Sequence, residues 1–217
     1  MKVTQLSSQK KNPSRVNLYI DGEFFCGLSL DTVAKFGIYK GREIEEDELE
    51  KILMDELRSR FLQRAMSYIS RGIKTELQMR RYLKTLSIKK KGSWFTDIRD
   101  DQLQEIFDEV MNKLKEYGYL DDEEFASQFI SSRIKNKPRG KNVLVLELMS
   151  KGVNKDLAER KVDELVEDEY DVLRRVYEKK YKGDKITIRD NKKIDFLKRK
   201  GFDWDLIKRL IEDESQK

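Results

Sequence analysis

Residues 148–157 read LMSKGVNKDL and residues 197–206 read LKRKGFDWDL. Both follow one pattern, Leu-x-x-Lys-Gly-apolar-(Asn or Asp)-x-Asp-Leu, with Gly152 and Gly201 standing 49 residues apart. One physical reading fits both copies. Leu148 and Leu197 pack the last turn of a helix, and Gly152 and Gly201 take the left-handed position that ends it. Asn154 and Asp203 then cap the next helix by accepting from its free N–H groups. Phe202 and Ile207 stand where a hydrophobic staple joins the residue before the cap to the fourth helical residue.

Upstream, YLKTLSI at 82–88 is a looser copy of the same helix end, with Ser87 in the glycine position. An insert, KKKGSWFTDIR at 89–99, separates it from the next helix. Its Trp94 and Phe95 are expected to cover the core, and become contact candidates only if exposed. Three units of three helices result, at about 58–119, 121–168 and 170–213. A helical period of that length marks a repeat array in which each unit leans on its neighbour.

The stretch EYGYLDDEEFA at 116–126 tests this reading, because four acids follow one another. Consecutive helical side chains fan out by about 100° each, so four in a row cannot converge on one ion. As a joint between repeats every residue has a role. Gly118 ends one helix, whose apolar face is Ile106, Phe107, Val110, Met111, Leu114 and Tyr117. Asp121 caps the next helix with Glu124 as the reciprocal partner of a capping box, and Leu120 and Phe125 form the staple. Asp122 and Glu123 favour the positive end of the helix dipole.

The rest of the chain reads as helix after a short β segment. In RVNLYIDGEFFCGL at 15–28, apolar residues alternate and Asp21-Gly22 supplies a tight turn, which predicts a hairpin. A short helix follows from Ser29, and the acids 45–48 start a long one with Leu49, Ile52, Leu53, Leu57, Phe61, Ala65 and Ile69 on its buried face. Further helices are predicted at 75–87, 100–117, 122–135, 142–151, 154–168, 170–181, 191–200 and 203–213.

Composition narrows function by exclusion. The 217 residues contain 40% charged and 38% hydrophobic side chains, with only two prolines. That balance suits surface-rich helices and an elongated shape. There is no histidine and one cysteine. Cys/His zinc sites and histidine bases are therefore excluded, and no disulfide can form within the chain. Cys26, in FFCGL, is expected as a small core residue. No phosphate-cradling glycine loop or convergent carboxylate set is recognisable, so neither an enzyme nor a bound cofactor is expected. The N-terminus lacks a signal-peptide core, and VLVL at 143–146 is too short to span a bilayer. A reducing cytoplasm and no membrane partner are the expectation.

Net charge is +5, with a pI near 9.0. Basic and acidic segments alternate. Residues 71–91 carry eight basic residues against one acid, and 133–141 carry five against none. Residues 171–210 carry 14 against seven, whereas 100–124 carry two against ten. Such segments serve as solvated helix faces or as a surface for an anionic polymer. The third helices begin NKDLAER and DWDLIKR, with acids where a DNA-reading helix must approach phosphates, so sequence-specific reading is disfavoured.

Three stretches, AMSYISRGIKTELQMRRYLKTLSI, LKEYGYLDDEEFASQFISSR and PRGKNVLVLELMSKGV, resemble the RecX family of bacterial recombination regulators. The match is good over about 60–155, extends to about 213 as the third repeat, and says little about 1–57. The resemblance implies a mainly α protein, a curved array of three three-helix repeats with a small N-terminal β-hairpin and helix region. The expected boundaries are 1–57 for the N-terminal module, then 58–119, 120–168 and 169–217 for the repeats. It further implies a non-enzymatic regulator that binds the RecA–DNA filament; a monomer is expected. Such a regulator damps recombinase, ATPase and coprotease activity, and so bears on recombination, DNA repair and the SOS response. The alternative is a helical protein that binds single- or double-stranded DNA without sequence preference and without RecA. The resemblance does not supply contact residues. The basic segments offer Arg71, Lys74, Arg80, Arg81, Arg133, Lys135, Lys137, Arg139 and Lys141 as candidates for RecA or DNA contact.

Overall fold

Asp21 and Gly22 adopt φ angles of 50° and 93°, the two left-handed positions that a tight hairpin turn requires. They join β2 (Asn12–Ile20) to β3 (Glu23–Ser29), antiparallel, with Val16 opposite Leu28 and Leu18 opposite Cys26. The computed structural model describes residues 1–10, 12–94 and 98–216; the expectation for Phe95 lies outside the described residues. The expected hairpin is extended by β1 (Val3–Gln9), which pairs antiparallel with β2 and completes a sheet of order β1-β2-β3. The sequence of β1, VTQLSSQ, carries only two aliphatic residues, three apart rather than alternating, so it has no strand signature of its own.

Ten helices follow among the described residues: α1 (Leu30–Lys35), α2 (Glu46–Ile69), α3 (Glu76–Lys90), α4 (Asp100–Glu116), α5 (Asp122–Asn136), α6 (Lys141–Ser150), α7 (Lys155–Leu165), α8 (Glu169–Tyr181), α9 (Asn191–Arg199) and α10 (Trp204–Ser215). None is long and apolar enough to cross a membrane. The chain divides into two compact units. One comprises residues 1–72 and 82–116, the other 73–81 and 117–217, so α3 contributes to both.

In the first unit the sheet lays Val3, Val16, Leu18, Ile20 and Leu28 against Leu49 and Ile52 of α2. Ser29 caps α1 by accepting from Thr32 N. The apolar stripe of α2 is interrupted by a buried carboxylate, Glu56, which is 3% exposed. It accepts from Arg15 Nη2 at 2.5 Å, Arg60 Nε at 2.7 Å and the backbone N–H of Ser29 at 2.7 Å. Burying a charge is tolerated when it is paired and hydrogen-bonded on this scale. The network fastens the end of the sheet to α2. Cys26 packs against this core, and burial pushes its thiol up to about 12. Trp94 is half-buried, with its ring edge-on to the fully buried Phe61 at 5.5 Å between centroids. Tyr117 departs from expectation: α4 stops at Glu116, and the ring is 58% exposed.

The second unit is built on a repeated junction. Gly152 and Gly201 have φ of 100° and 95°, ending α6 and α9 as the sequence pattern requires. Val153 N donates to Leu148 O and Phe202 N to Leu197 O, the long bond of a Schellman motif in both cases. Each glycine is also tightly packed. A Cβ on Gly152 would lie 2.3 Å from Leu77 Cβ, and one on Gly201 would lie 2.6 Å from Val143 Cγ2. Leu77 is the second residue of α3 and Val143 the third of α6, so each turn abuts the first turn of another helix.

The same symmetry holds in polar bonds. Thr75 Oγ1 donates to Lys151 O at 2.6 Å, and Gly140 N donates to Lys200 O at 2.9 Å. Glu76 N donates to Asp122 Oδ1 at 2.9 Å, and Lys141 N to Glu169 Oε1 at 2.7 Å. Asp122 and Glu169 are each the residue after an aspartate cap, Asp121 and Asp168, so a carboxylate in the first turn of one helix satisfies the open N-terminus of another. Buried Leu144, Leu148, Leu173 and Leu197 fill the core around these joints, each contributing about 1.5–3 kcal/mol by its burial.

The acidic run 121–124 is thus a joint. Asp121 Oδ1 accepts from Glu123 N and Glu124 N, and Asp122 caps α3. The expected capping box is half made: Glu124 Oε1 instead accepts from Gln128 Nε2 at 2.8 Å. Glu123 pairs with Lys161, whose hydrogen bond holds its carboxyl below the usual range. Asn154 caps α7 through Asp156 N, but Asp203 does not cap α10. Its Oδ1 accepts from Asn142 Nδ2 at 2.6 Å, a bond to α6 that the local sequence does not announce.

Candidate partner-binding surface

The segment between α5 and α6, Lys137-Pro138-Arg139-Gly140, is short and held at its far end by the Gly140 bond to Lys200. Proline restricts Lys137 to extended backbone, and Lys137 accordingly ends α5. The five cations of 133–141 separate into different roles here. Arg133 Nε lies 2.8 Å from Glu147 Oε2, without a well-aimed hydrogen bond between those two atoms, and its guanidinium rests 5.1 Å from the centroid of Phe129. Lys141 Nζ lies 2.8 Å from Asp163 Oδ1. Arg133 therefore ties α5 to α6, and Lys141 ties α6 to α7. Lys135 is exposed on α5.

Lys137 and Arg139 turn elsewhere. With Lys179 and Lys180 of α8 and Lys200 after α9 they line one cavity of about 460 Å³. Its remaining wall includes Pro138, Val176 and Phe196, and among the described residues no carboxylate lines it. Arg139 Nε is buried without a hydrogen-bond partner among the described residues. The ammonium of Lys200 lies 5.3 Å from the centroid of Phe196. Burial pushes the pKa of Lys200 down, and the charges of Arg139 and Lys180 push it further in the same direction. Cations crowded together without acids form a local positive field suited to an anion.

The other sequence candidates are not among the residues that line this cavity. Arg71 is exposed in the turn after α2, in the first unit. In the second unit Lys74 is half-buried, its Nζ donating to Ile73 O at 3.3 Å, and Arg80 and Arg81 are exposed on α3. Lys179, Lys180 and Lys200 were not singled out by sequence. The basic excess of 171–210 is their only trace, and it does not distinguish them from the other eleven basic residues there. Among the described residues, no group of three or more His, Cys, Asp or Glu side chains is placed to hold a metal ion.

The fold first defines a class: a protein of three-helix repeats carrying a small antiparallel sheet at its N-terminus. Family models match in the same order. The regulatory protein RecX N-terminal domain matches residues 1–45, the second RecX three-helix domain 121–161, and the third 167–211. Regulatory protein RecX of Clostridioides difficile is 30% identical over 215 residues, covering 96% of this chain and 93% of the relative. That of Clostridium tetani is 32% identical over 216 residues, covering 97% and 93%. A crystal structure of a regulatory protein RecX superposes with a TM-score of 0.70 at 20% identity, covering 98% of both chains, and shares the fold. The chain belongs to the RecX family of regulatory proteins, and a regulatory role follows from that membership.

Proposed function

We propose that this protein binds the RecA–DNA filament in the cytoplasm and damps its strand exchange, ATP hydrolysis and coprotease activity. It acts as a monomer, by binding rather than by catalysis. Family membership supports this reading. The observation that carries it furthest is the cluster of cations on the loop after α5, on α8 and just after α9, which no carboxylate neutralises among the described residues. A filament presents repeated sites, so modest contacts from successive repeats add through effective concentration. The four-module division at 57, 119 and 168 is part of the same proposal, with the N-terminal module as a cap or docking element. The boundary at 57 falls inside α2.

The experiment is RecA-catalysed, single-stranded-DNA-dependent ATP hydrolysis with this protein added below stoichiometry. Wild type is compared with Lys135→Glu/Lys137→Glu. Strong inhibition that the double substitution weakens is the expected result. No inhibition at stoichiometric protein would overturn the filament reading. Salt-sensitive DNA binding without RecA would then favour the second reading, a sequence-tolerant DNA-binding protein, which the same cations support.

A further inference from the structure

We infer that the cavity between the Lys137–Gly140 loop, α8 and α9 is a binding site for the phosphates of a nucleotide. The first ground is charge without a counter-ion. Lys137, Arg139, Lys179, Lys180 and Lys200 line one cavity, no acid lines it, and none of the five is in an ion pair among the described residues. A protein with 41 acidic residues pairs many of its cations, as Arg133 and Lys141 show only a few residues away. Five cations left together oppose folding unless something anionic offsets them.

The second ground is Arg139. Its Nε is buried and unpartnered, which is costly for a charged group and is repaired by an acceptor in the cavity. Guanidinium and ammonium groups around one space suit phosphate oxygens, with arginine giving directed bonds and lysines giving field. The depressed pKa of Lys200 is consistent with the same crowding.

The third ground is the rest of the wall. Phe196, Val176 and Pro138 give the cavity an apolar side, which inorganic phosphate would not use and a sugar or base would. At about 460 Å³ it falls in the range of small-ligand sites. The contrast with the first unit is informative. A cavity of about 510 Å³ beside Cys26 also contains an arginine, Arg60, but Glu56 lines it too and holds that arginine at 2.7 Å. The arginine of that space is already committed to a carboxylate, and Glu50 adds a further acid to its lining.

The site is set by the loop after α5. Gly140 N binds Lys200 O, so the backbone that carries Arg139 is fixed to the turn that carries Lys200. The nucleotide can be free in solution or part of a single strand; the recognised chemistry is the same. The inference needs no RecA, although it draws on cations that the filament reading also uses.

The test is isothermal titration calorimetry of the full chain at low salt with three probes: ADP, pyrophosphate and a short oligothymidylate. ADP is expected to bind more tightly than pyrophosphate. Lys179→Gln/Lys180→Gln, two exposed positions that leave the fold intact, is expected to weaken binding by about ten-fold or more. Arg139→Lys, which keeps the charge and loses the directed bonds, is expected to weaken it as well. Phe196→Leu is expected to weaken ADP and leave pyrophosphate unchanged. Lys40→Gln, on the other unit, serves as the control for general charge. If the oligonucleotide alone binds, and the pocket substitutions weaken it, the nucleotide comes from a strand and the site stands. Absence of binding by all three probes, or binding that Lys40→Gln weakens as much as the pocket substitutions do, would overturn it. Because no arm contains RecA, failure here leaves the filament reading intact, and loss of RecA inhibition leaves this site intact.

Discussion

Gly140 faces Gly201 so closely that a Cβ on Gly140 would lie 2.3 Å from the carbonyl oxygen of Gly201. Gly140 has φ of −70°, which any residue adopts, so glycine is required here for space and not for conformation. Gly140→Ala is expected to destabilise the second unit by about 2–3 kcal/mol, because the obstacle is backbone and cannot rotate away. Gly183 is the comparison. Its φ is +87° with open space around it, so Gly183→Ala should lose only the roughly 1 kcal/mol of a left-handed alanine. Urea unfolding followed by circular dichroism ranks the two. Equal losses would mean that the loop and the α9 turn do not touch.

Glu56 holds the sheet to α2 through two arginines and a backbone N–H. Glu56→Ala leaves Arg15 and Arg60 facing each other across a space that no longer contains a carboxylate. A loss of about 3–5 kcal/mol is expected, the range for breaking a buried pair from one side. Glu56→Gln, which keeps the shape, should lose less. A thermal unfolding series that finds both variants near wild type would remove the network from the account of this fold.

Two buried groups make the protein base-sensitive. Burial raises the Cys26 thiol from 9.0 to about 12, and burial together with the bond to Asp213 raises the Tyr170 hydroxyl from 10.0 to about 12. In each case the unfolded chain releases its proton at lower pH than the folded one. Their contribution is complete below about pH 9 and declines as pH rises, first through Cys26 and then, above about pH 10, through Tyr170 as well. Urea midpoints between pH 8 and 10 should fall, and Cys26→Val should flatten the lower part of that fall. A midpoint that rises over this range contradicts the assignment. The same burial predicts that iodoacetamide at pH 8 reacts far more slowly with the native thiol than with the unfolded one.

Arg133 and Lys135 lie two residues apart and should behave differently. Arg133 pairs with Glu147 and lies over Phe129, so Arg133→Ala is expected to lower stability by about 1 kcal/mol. Lys135 is exposed, and Lys135→Ala should stay within about 0.5 kcal/mol of wild type. Any loss of partner binding in an Arg133 variant therefore has to be corrected for stability before it is assigned to contact. Equal stabilities would return Arg133 to the set of available surface cations.

Much of this architecture is local and so is readable residue by residue. The glycines that end α6 and α9 reveal themselves because left-handed backbone strongly favours glycine, and the turn of the hairpin does so for the same reason. Helix faces are visible because burial repeats every three or four residues, as along α4. Strand β1 was not legible, since it owes its pairing to β2 and not to an alternation of its own. Asp203 had a capping residue's identity and a different partner, because Asn142 reaches it from 61 residues away.

The sequence by itself determined the family, the order of the helices and the nature of the acidic joint, each a matter of short spacing and backbone preference. Tertiary structure decided which cations are committed and which are left over. Arg133 and Lys141 find acids on neighbouring helices, whereas Lys137 and Arg139 meet three lysines from α8 and the end of α9. Charge acts through space, and segments separated by 40 residues or more in the chain share one field only after the repeats have stacked.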